Sequence, residues 1–315
     1  ICESNLQHFL WQTACMRLRR METVLSKPLV DCPPPPKSDF QRPPSVRRLG
    51  SAEEVPELRR RPFICHYYRL EPPSARHLWC SHNELGNIWT HIWAAVAVFA
   101  QLMYWVWNQD LNGNSAELVY RLGVFAYFIS CICTFCVSVQ YHWRLCSTDA
   151  DFLRWMCLDQ SACFVVIMIG FFAGVPMGFA CFPVLQIIYT ISSFSTCLLM
   201  AVAIFFIPKE RWEIIAGVII AGTVVVYFIP AVHWLWVCET GRRAIGTKFV
   251  VQILLTGVAA IFYTKYVPER FAPGKFDLWW NSHQIWHVAI FLSMAMYGDC
   301  LVQVNRMIQT GTLCG

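Results

Sequence analysis

Two histidines four residues apart, His283 and His287, open an apolar stretch near the end of the chain. Residues at that spacing share one face of a helix, so both imidazoles can reach a single ion. His142 closes another apolar stretch, Asp159 lies just inside the next, and Ser138 sits one turn before His142 on the same face. An ionisable side chain in an apolar helix is costly and by default marks a functional site. Three imidazoles with a fourth position open are the donor set of a catalytic zinc rather than a closed structural one. Such an ion lowers the pKa of a bound water to about 7. Asp159 could then hold the water and act as general base, and Ser138 could orient a ligand or donate to an oxyanion. Each residue also has a plainer reading. A lone membrane histidine is commonly a packed, hydrogen-bonded residue, Asp159 could pair only with Arg154 or His142, and a serine in a span often bonds its own helix.

The elements that must position these residues are read from hydropathy. Of 315 residues 56% are hydrophobic, 15% aromatic and only 14% charged, which excludes an ordinary soluble domain. Apolar runs long enough to cross about 30 Å of hydrocarbon recur near residues 88–107, 118–142, 152–172, 182–207, 214–237, 247–266 and 282–304. The expected fold is an all-α membrane protein, a seven-transmembrane helix bundle over residues 88–308 with a short extracytosolic tail at 309–315. Ser74 can cap a short interfacial helix, residues 74–87, whose face carries Leu78, His82, Leu85 and Trp89; Gly86 permits a bend, and Trp79, Trp89 and Trp93 suit headgroup depth. Residues 1–73 read as a largely disordered extension because Pro33 to Pro36, Pro43 and Pro44 sit among charged and small polar residues. Within it Leu6, Phe9, Leu10, Ala14, Met21, Val24 and Leu25 form an imperfect stripe that fits a surface-lying helix or a fluctuating tail. Ile1 to Val30 lacks the apolar core and small residues of a cleavable signal.

Basic residues set the orientation, since cytoplasmic loops hold the excess of Lys and Arg. About 20 of the 25 precede the first run or follow the second, fourth and sixth. The N-terminus is therefore expected in the cytosol, with Arg242, Arg243 and Lys248 as an exception in one short outer loop. This orientation brings His142, Asp159, His283 and His287 to one depth near the cytosolic leaflet, at 1.5 Å of helix rise per residue. His91 lies near that layer and could stand behind the ligands, with helix packing as its expected role, while His233 belongs to the outer end of the fifth run. Of the 16 cysteines most fall inside the runs, where a thiol behaves as a small apolar residue; this applies to Cys133 and Cys136 despite their spacing. Cys300 and Cys314 are the better disulfide candidates. Basic residues that track sidedness argue against nucleic acid, and nothing suggests the inverted repeats of a transporter.

Several ordered motifs resemble the progestin and adipoQ receptor family: Asn83-Glu84-Leu85-Gly86-Asn87-Ile88-Trp89-Thr90-His91, Ser138 to His142, Leu158-Asp159, Pro268-Glu269-Arg270-Phe271 and Ser282-His283-Gln284-Ile285-Trp286-His287. The resemblance spans about residues 60–305. It implies seven helices inverted relative to G-protein-coupled receptors, zinc ligands at His142, His283 and His287, and the associated carboxylate and serine at Asp159 and Ser138. Pro273-Gly274-Lys275-Phe276-Asp277-Leu278-Trp279 is closer to the adiponectin receptors, whereas Arg154-Trp155-Met156 and Val232-His233-Trp234 look closer to the Golgi branch that traps Raf kinase. Gln160-Ser161-Ala162 departs from both beside the proposed carboxylate, which bears on ligand preference. Two functions follow as expectations. One is a zinc receptor at the plasma membrane or Golgi, linked to lipid metabolism, with ceramidase-like hydrolysis of a membrane lipid amide (ceramide, releasing fatty acid) and a protein hormone or steroid as ligand. The other is a non-enzymatic Golgi anchor that holds a cytosolic kinase through its N-terminal segment.

Overall fold

The computed structural model describes residue 32 and residues 49–108, 115–206 and 224–314. Seven α-helices fall in these residues: α1 Leu85–Trp107, α2 Ser115–Arg144, α3 Asp149–Gly178, α4 Pro183–Phe206, α5 Ile229–Val237, α6 Glu239–Lys265 and α7 Ser282–Gln309. They follow the seven apolar runs in order. A π-helical turn, Val224–Phe228, precedes α5. Five helices are long and apolar enough to cross a membrane, namely α1, most of α2, α3, α6 and α7; the apolar stretches Pro183–Leu199 and Val226–Val237 are shorter. Large apolar side chains such as Phe99, Met103, Ile191, Leu254 and Ile261 stand exposed on them, as expected where hydrocarbon rather than water is the solvent. The N-terminal stripe from Leu6 to Leu25 and the start of the fifth run lie outside the described residues.

The chain divides into two compact units, and the first comprises Ile1–Ala95, Phe135–Ser161 and Leu255–Phe291. Its N-terminal part corrects the expectation of disorder up to residue 73. Strand β1, Leu49–Gly50, pairs antiparallel with β2, Tyr68–Arg69, with Leu49 opposite Arg69. Ala52, Val55, Ile64 and Tyr68 are buried together with Leu70 against them. Ser51 and Glu54 cap the intervening turn reciprocally, the Ser51 amide donating to Glu54 Oε2 at 2.8 Å. Cys65 is joined to Cys32 by a disulfide. Composition suggests otherwise because prolines and charged residues recur up to Pro73, while the small core depends on a pairing between residues about twenty apart.

The expected helix over residues 74–87 is instead a single 3-10 turn, Ala75–Leu78, with Ser74 as its cap. His82 diverts the backbone that would have continued it: its Nε2 bonds the His77 carbonyl at 2.8 Å, and its Nδ1 accepts from the Glu84 amide at 3.1 Å. Trp89 Nε1 donates to the Leu78 carbonyl, so Trp79, Trp89 and Trp93 form a continuous aromatic row. Gly86 marks close approach rather than a bend, since a Cβ there would lie 2.5 Å from Gln284 Nε2. Thr148 caps α3 by accepting from the Asp151 amide, and Leu145, Phe152 and Met156 bury the corner between α2 and α3.

The second unit comprises Val96–Thr134, Ala162–Leu254 and Leu292–Gly315. Its helices meet where glycines leave room for rings: Gly298 faces Phe128, and Gly170 accepts from the Tyr297 hydroxyl at 3.0 Å. Gln252 links α6 to α7 through Ser293 Oγ at 2.9 Å. Cys314 pairs with Cys181, whereas Cys300 is buried and not disulfide-bonded, which corrects its pairing expectation. Cys300 sits on the interior face of α7, where burial makes it a packing residue. Arg242, Arg243 and Lys248 are not in a loop. They occupy the first turns of α6, where Arg243 pairs with Glu239 and Lys248 with Asp299 at 2.6 Å.

Candidate metal centre

All residues of the site belong to the first unit. His142 is carried at the C-terminal end of α2, and His283 and His287 in the first two turns of α7. The start of α7 is fixed by capping. Asn281 Oδ1 accepts from the Gln284 amide at 3.1 Å, and Ser282 donates to Glu269 through both its amide and its hydroxyl. These bonds set the rotation of α7 and thereby the direction of both histidines.

His142 meets the other two rings edge to face, with centroids 5.2 Å from His283 and 4.9 Å from His287, and His283 and His287 are tilted against each other with centroids 4.5 Å apart. Their candidate ligand nitrogens lie within 4.8 Å of one another. All three Nε2 atoms are buried and have no hydrogen-bond partner. A buried nitrogen without a partner costs free energy. Three in one place form a donor set that could hold a metal ion.

The atoms behind the rings fit the same account. His142 Nδ1 lies 2.8 Å from Glu84 Oε2 and 3.3 Å from Arg61 Nη2. A guanidinium only donates, and Arg61 is already engaged with Glu84 through Nε at 2.5 Å and Nη2 at 3.2 Å. The shorter contact therefore governs: Nδ1 carries the proton toward Glu84, and Nε2 keeps its lone pair for a metal. Asn87 Nδ2 also donates to Glu84 Oε2, at 2.6 Å. Burial opposes ionisation of Glu84, but the Arg61 charge and the bonds from His142 and Arg61 outweigh it and hold its carboxyl well below the usual range. Likewise Thr90 Oγ1 donates to the Gly86 carbonyl at 2.8 Å and is left to accept from His287 Nδ1 at 3.1 Å. Two of the three rings are thus set in the metal-binding tautomer. The donors present suit a borderline divalent ion such as zinc.

The sequence-predicted Asp159 and Ser138 are brought to the same place. Asp159 interacts with His142, the Ser138 hydroxyl and Arg61, and its Oδ1 is buried without a partner. Ser138 is itself buried. Arg154 is exposed. His91 stacks on His287, with ring centroids 3.6 Å apart and an interplanar angle of 16°, and neither of its nitrogens has a partner. His233 is in the second unit, where Nδ1 lies 2.7 Å from the Tyr189 hydroxyl. Cys133 and Cys136 are exposed on α2 and form no disulfide. Sequence reasoning quoted Glu84 and Thr90 only inside a motif and gave Arg61 no role at the site. A carboxylate at the mouth of an apolar run was the available signal.

A family model described as haemolysin-III related matches residues 79–297. Progestin and adipoQ receptor family member 3 of Mus musculus is 27% identical over 274 residues, covering 82% of this chain and 86% of its own length. The adiponectin receptor protein of Drosophila melanogaster is 27% identical over 270 residues, 77% of this chain and 59% of its own. Heptahelical transmembrane protein 3 of Arabidopsis thaliana is 27% identical over 303 residues, 81% of this chain and 86% of its own. Helices and family together make this an integral, multi-pass membrane protein. With a family model matched over residues 79–297, which hold its motifs and its histidine cluster, the chain belongs to the haemolysin-III related family, which includes the progestin and adipoQ receptors.

Proposed function

We propose that the chain is a zinc-binding seven-span receptor of the progestin and adipoQ receptor type, tied to lipid metabolism, with ceramidase-like amide hydrolysis at its metal centre. The observation that carries this reading is the convergence of three buried, unpartnered Nε2 atoms beside an unpartnered Asp159 Oδ1. A zinc ion held by His142, His283 and His287 would supply Lewis acidity and a coordinated water with a pKa near 7. Asp159 Oδ1 is the proton acceptor of the site, and the Ser138 hydroxyl orients that carboxylate. Glu84 and Thr90 fix the ligand rings before any substrate arrives, so the geometry needs no reorganisation during reaction.

A membrane lipid suits a site built on apolar helices, because an acyl chain can stay in hydrocarbon while its amide reaches the metal. Ceramide is the substrate of this reading and fatty acid its product; a protein hormone or steroid is the regulatory ligand. In this reading the N-terminus and the metal centre face the cytosol at the plasma membrane or Golgi, which the excess of basic residues before the first helix supports. Zinc-loaded protein should release fatty acid slowly from ceramide. Asp159→Ala should lower that rate at least ~100-fold while keeping its metal. Absence of turnover on any ceramide at full zinc occupancy removes hydrolysis from the account.

A second reading, a Golgi anchor holding a cytosolic kinase such as Raf, is favoured by the similarity to family member 3 and by the basic N-terminal segment. Here zinc only clamps helices. Deleting residues 1–48 should abolish kinase recruitment and leave zinc bound; recruitment that survives the deletion excludes it.

A further inference from the structure

We propose that Arg61 and Arg69 are positioning residues of the metal centre, so that zinc retention depends on the docking of residues 49–73 onto the ligand-bearing helices. The inference rests on the zinc reading above. This segment holds one ligand, His142, in two ways. Arg61 grips Glu84 by two nitrogens, and Glu84 grips the His142 ring. Arg69 holds the backbone of the same residue, Nη2 donating to the His142 carbonyl at 2.6 Å and Nη1 to the Trp143 carbonyl at 3.0 Å. These are terminal carbonyls of α2, which a cation satisfies and which the helix dipole favours.

Arg69 is buried, and among the described residues no carboxylate lies within salt-bridge distance of it. A buried guanidinium held by carbonyls alone is expensive to keep unless its position matters. The segment is also fastened to the other ligand helix. Asp277, in the loop that leads into α7, accepts from the Cys65 amide at 3.1 Å and the His66 amide at 2.7 Å. The Gly274 amide approaches the Phe63 carbonyl at 3.4 Å. One short stretch of chain therefore clasps the end of α2 and the approach to α7, whose three histidines must converge on one ion.

The test uses the purified full chain loaded with zinc. Zinc release to a chromogenic chelator is timed, and the visible bands of the cobalt-substituted protein report ligand geometry. Arg61→Ala should release zinc ~10- to 100-fold faster than wild type and weaken the cobalt bands. Arg61→Lys keeps the charge but not the fork, and should fall between the two. Arg69→Ala and Asp277→Asn should also speed release, although Asp277 bonds no ligand. Arg59→Ala, which removes the pair of half-buried Arg59 with exposed Asp149 at the start of α3, a helix that carries none of the three histidines, should match wild type. A purely structural role would lower thermal stability and leave the cobalt spectrum of the surviving folded fraction unchanged, which overturns the proposal. So do monodisperse Arg61→Lys and Asp277→Asn proteins that release zinc at the wild-type rate. Wild-type protein that binds no zinc overturns the zinc reading and this inference with it, a result distinct from zinc-bound variants that behave as wild type.

Discussion

His91 separates a ligand from a neighbour. It stacks on His287 and is as buried as the cluster, yet it is not among the nitrogens that converge. His91→Phe keeps a flat ring in the stack and removes both unpartnered nitrogens. Zinc content by elemental analysis should stay at the wild-type level, whereas His287→Ala should lose it. Loss of zinc in His91→Phe would make His91 a ligand. The four residues His142, Asp159, His283 and His287 were legible because an ionisable group in an apolar run stands out in any reading of the sequence. Glu84 was not, since its value lies in a contact with His142 58 positions away. Arg61 was hidden further, being one of three consecutive arginines that read as part of the basic excess marking sidedness.

At the scale of elements, helix positions followed from hydropathy because an apolar run has one stable conformation in lipid. The connection before α1 did not, because His82 redirects it through its own side chain. Gly86 is the contact most sensitive to size. Gln284 cannot yield freely there, since its Nε2 donates to the Leu278 carbonyl and its Oε1 accepts from the Trp280 amide. Gly86→Val should therefore cost about 1–3 kcal/mol, read as a lower melting temperature in detergent; an unchanged melting temperature would show that α7 shifts without penalty. Burial, with the nearby Arg69 charge adding to it, lowers the pKa of His77 to about 4 and of His82 to about 3 from an ordinary value of 6.5. Both rings are thus neutral when folded, and the unfolded chain takes up protons first on acidification. Their contribution to stability is full above pH 6.5 and is lost progressively as pH falls toward 4. A His77→Gln, His82→Gln variant should show a flatter melting temperature between pH 7 and about 5 than wild type; parallel curves would assign the acid loss elsewhere.

For the whole molecule, the two ends carry disulfides whose survival depends on the compartment. If the N-terminus is cytosolic, as the basic residues lead one to expect, Cys32–Cys65 is exposed to glutathione, and a seven-span topology then puts Cys181–Cys314, which joins the α3–α4 turn to the tail after α7, outside the cytosol. In sealed cells a thiol reagent should label Cys32 and Cys65 after permeabilisation without added reductant, and should label Cys181 and Cys314 only after reduction. The reverse pattern would invert the orientation. The distribution of Lys and Arg is the sequence's one signal of sidedness, and its exception at Arg242, Arg243 and Lys248 lies in the first turns of a helix, where Arg243 and Lys248 have acidic partners. The central claim remains that His142, His283 and His287 hold one ion. Elemental analysis of the purified protein beside His142→Ala, His283→Ala and His287→Ala tests it most directly. About one zinc per wild-type chain, lost in each variant, is the predicted result; a folded wild type without metal, or variants that keep it, would contradict the account.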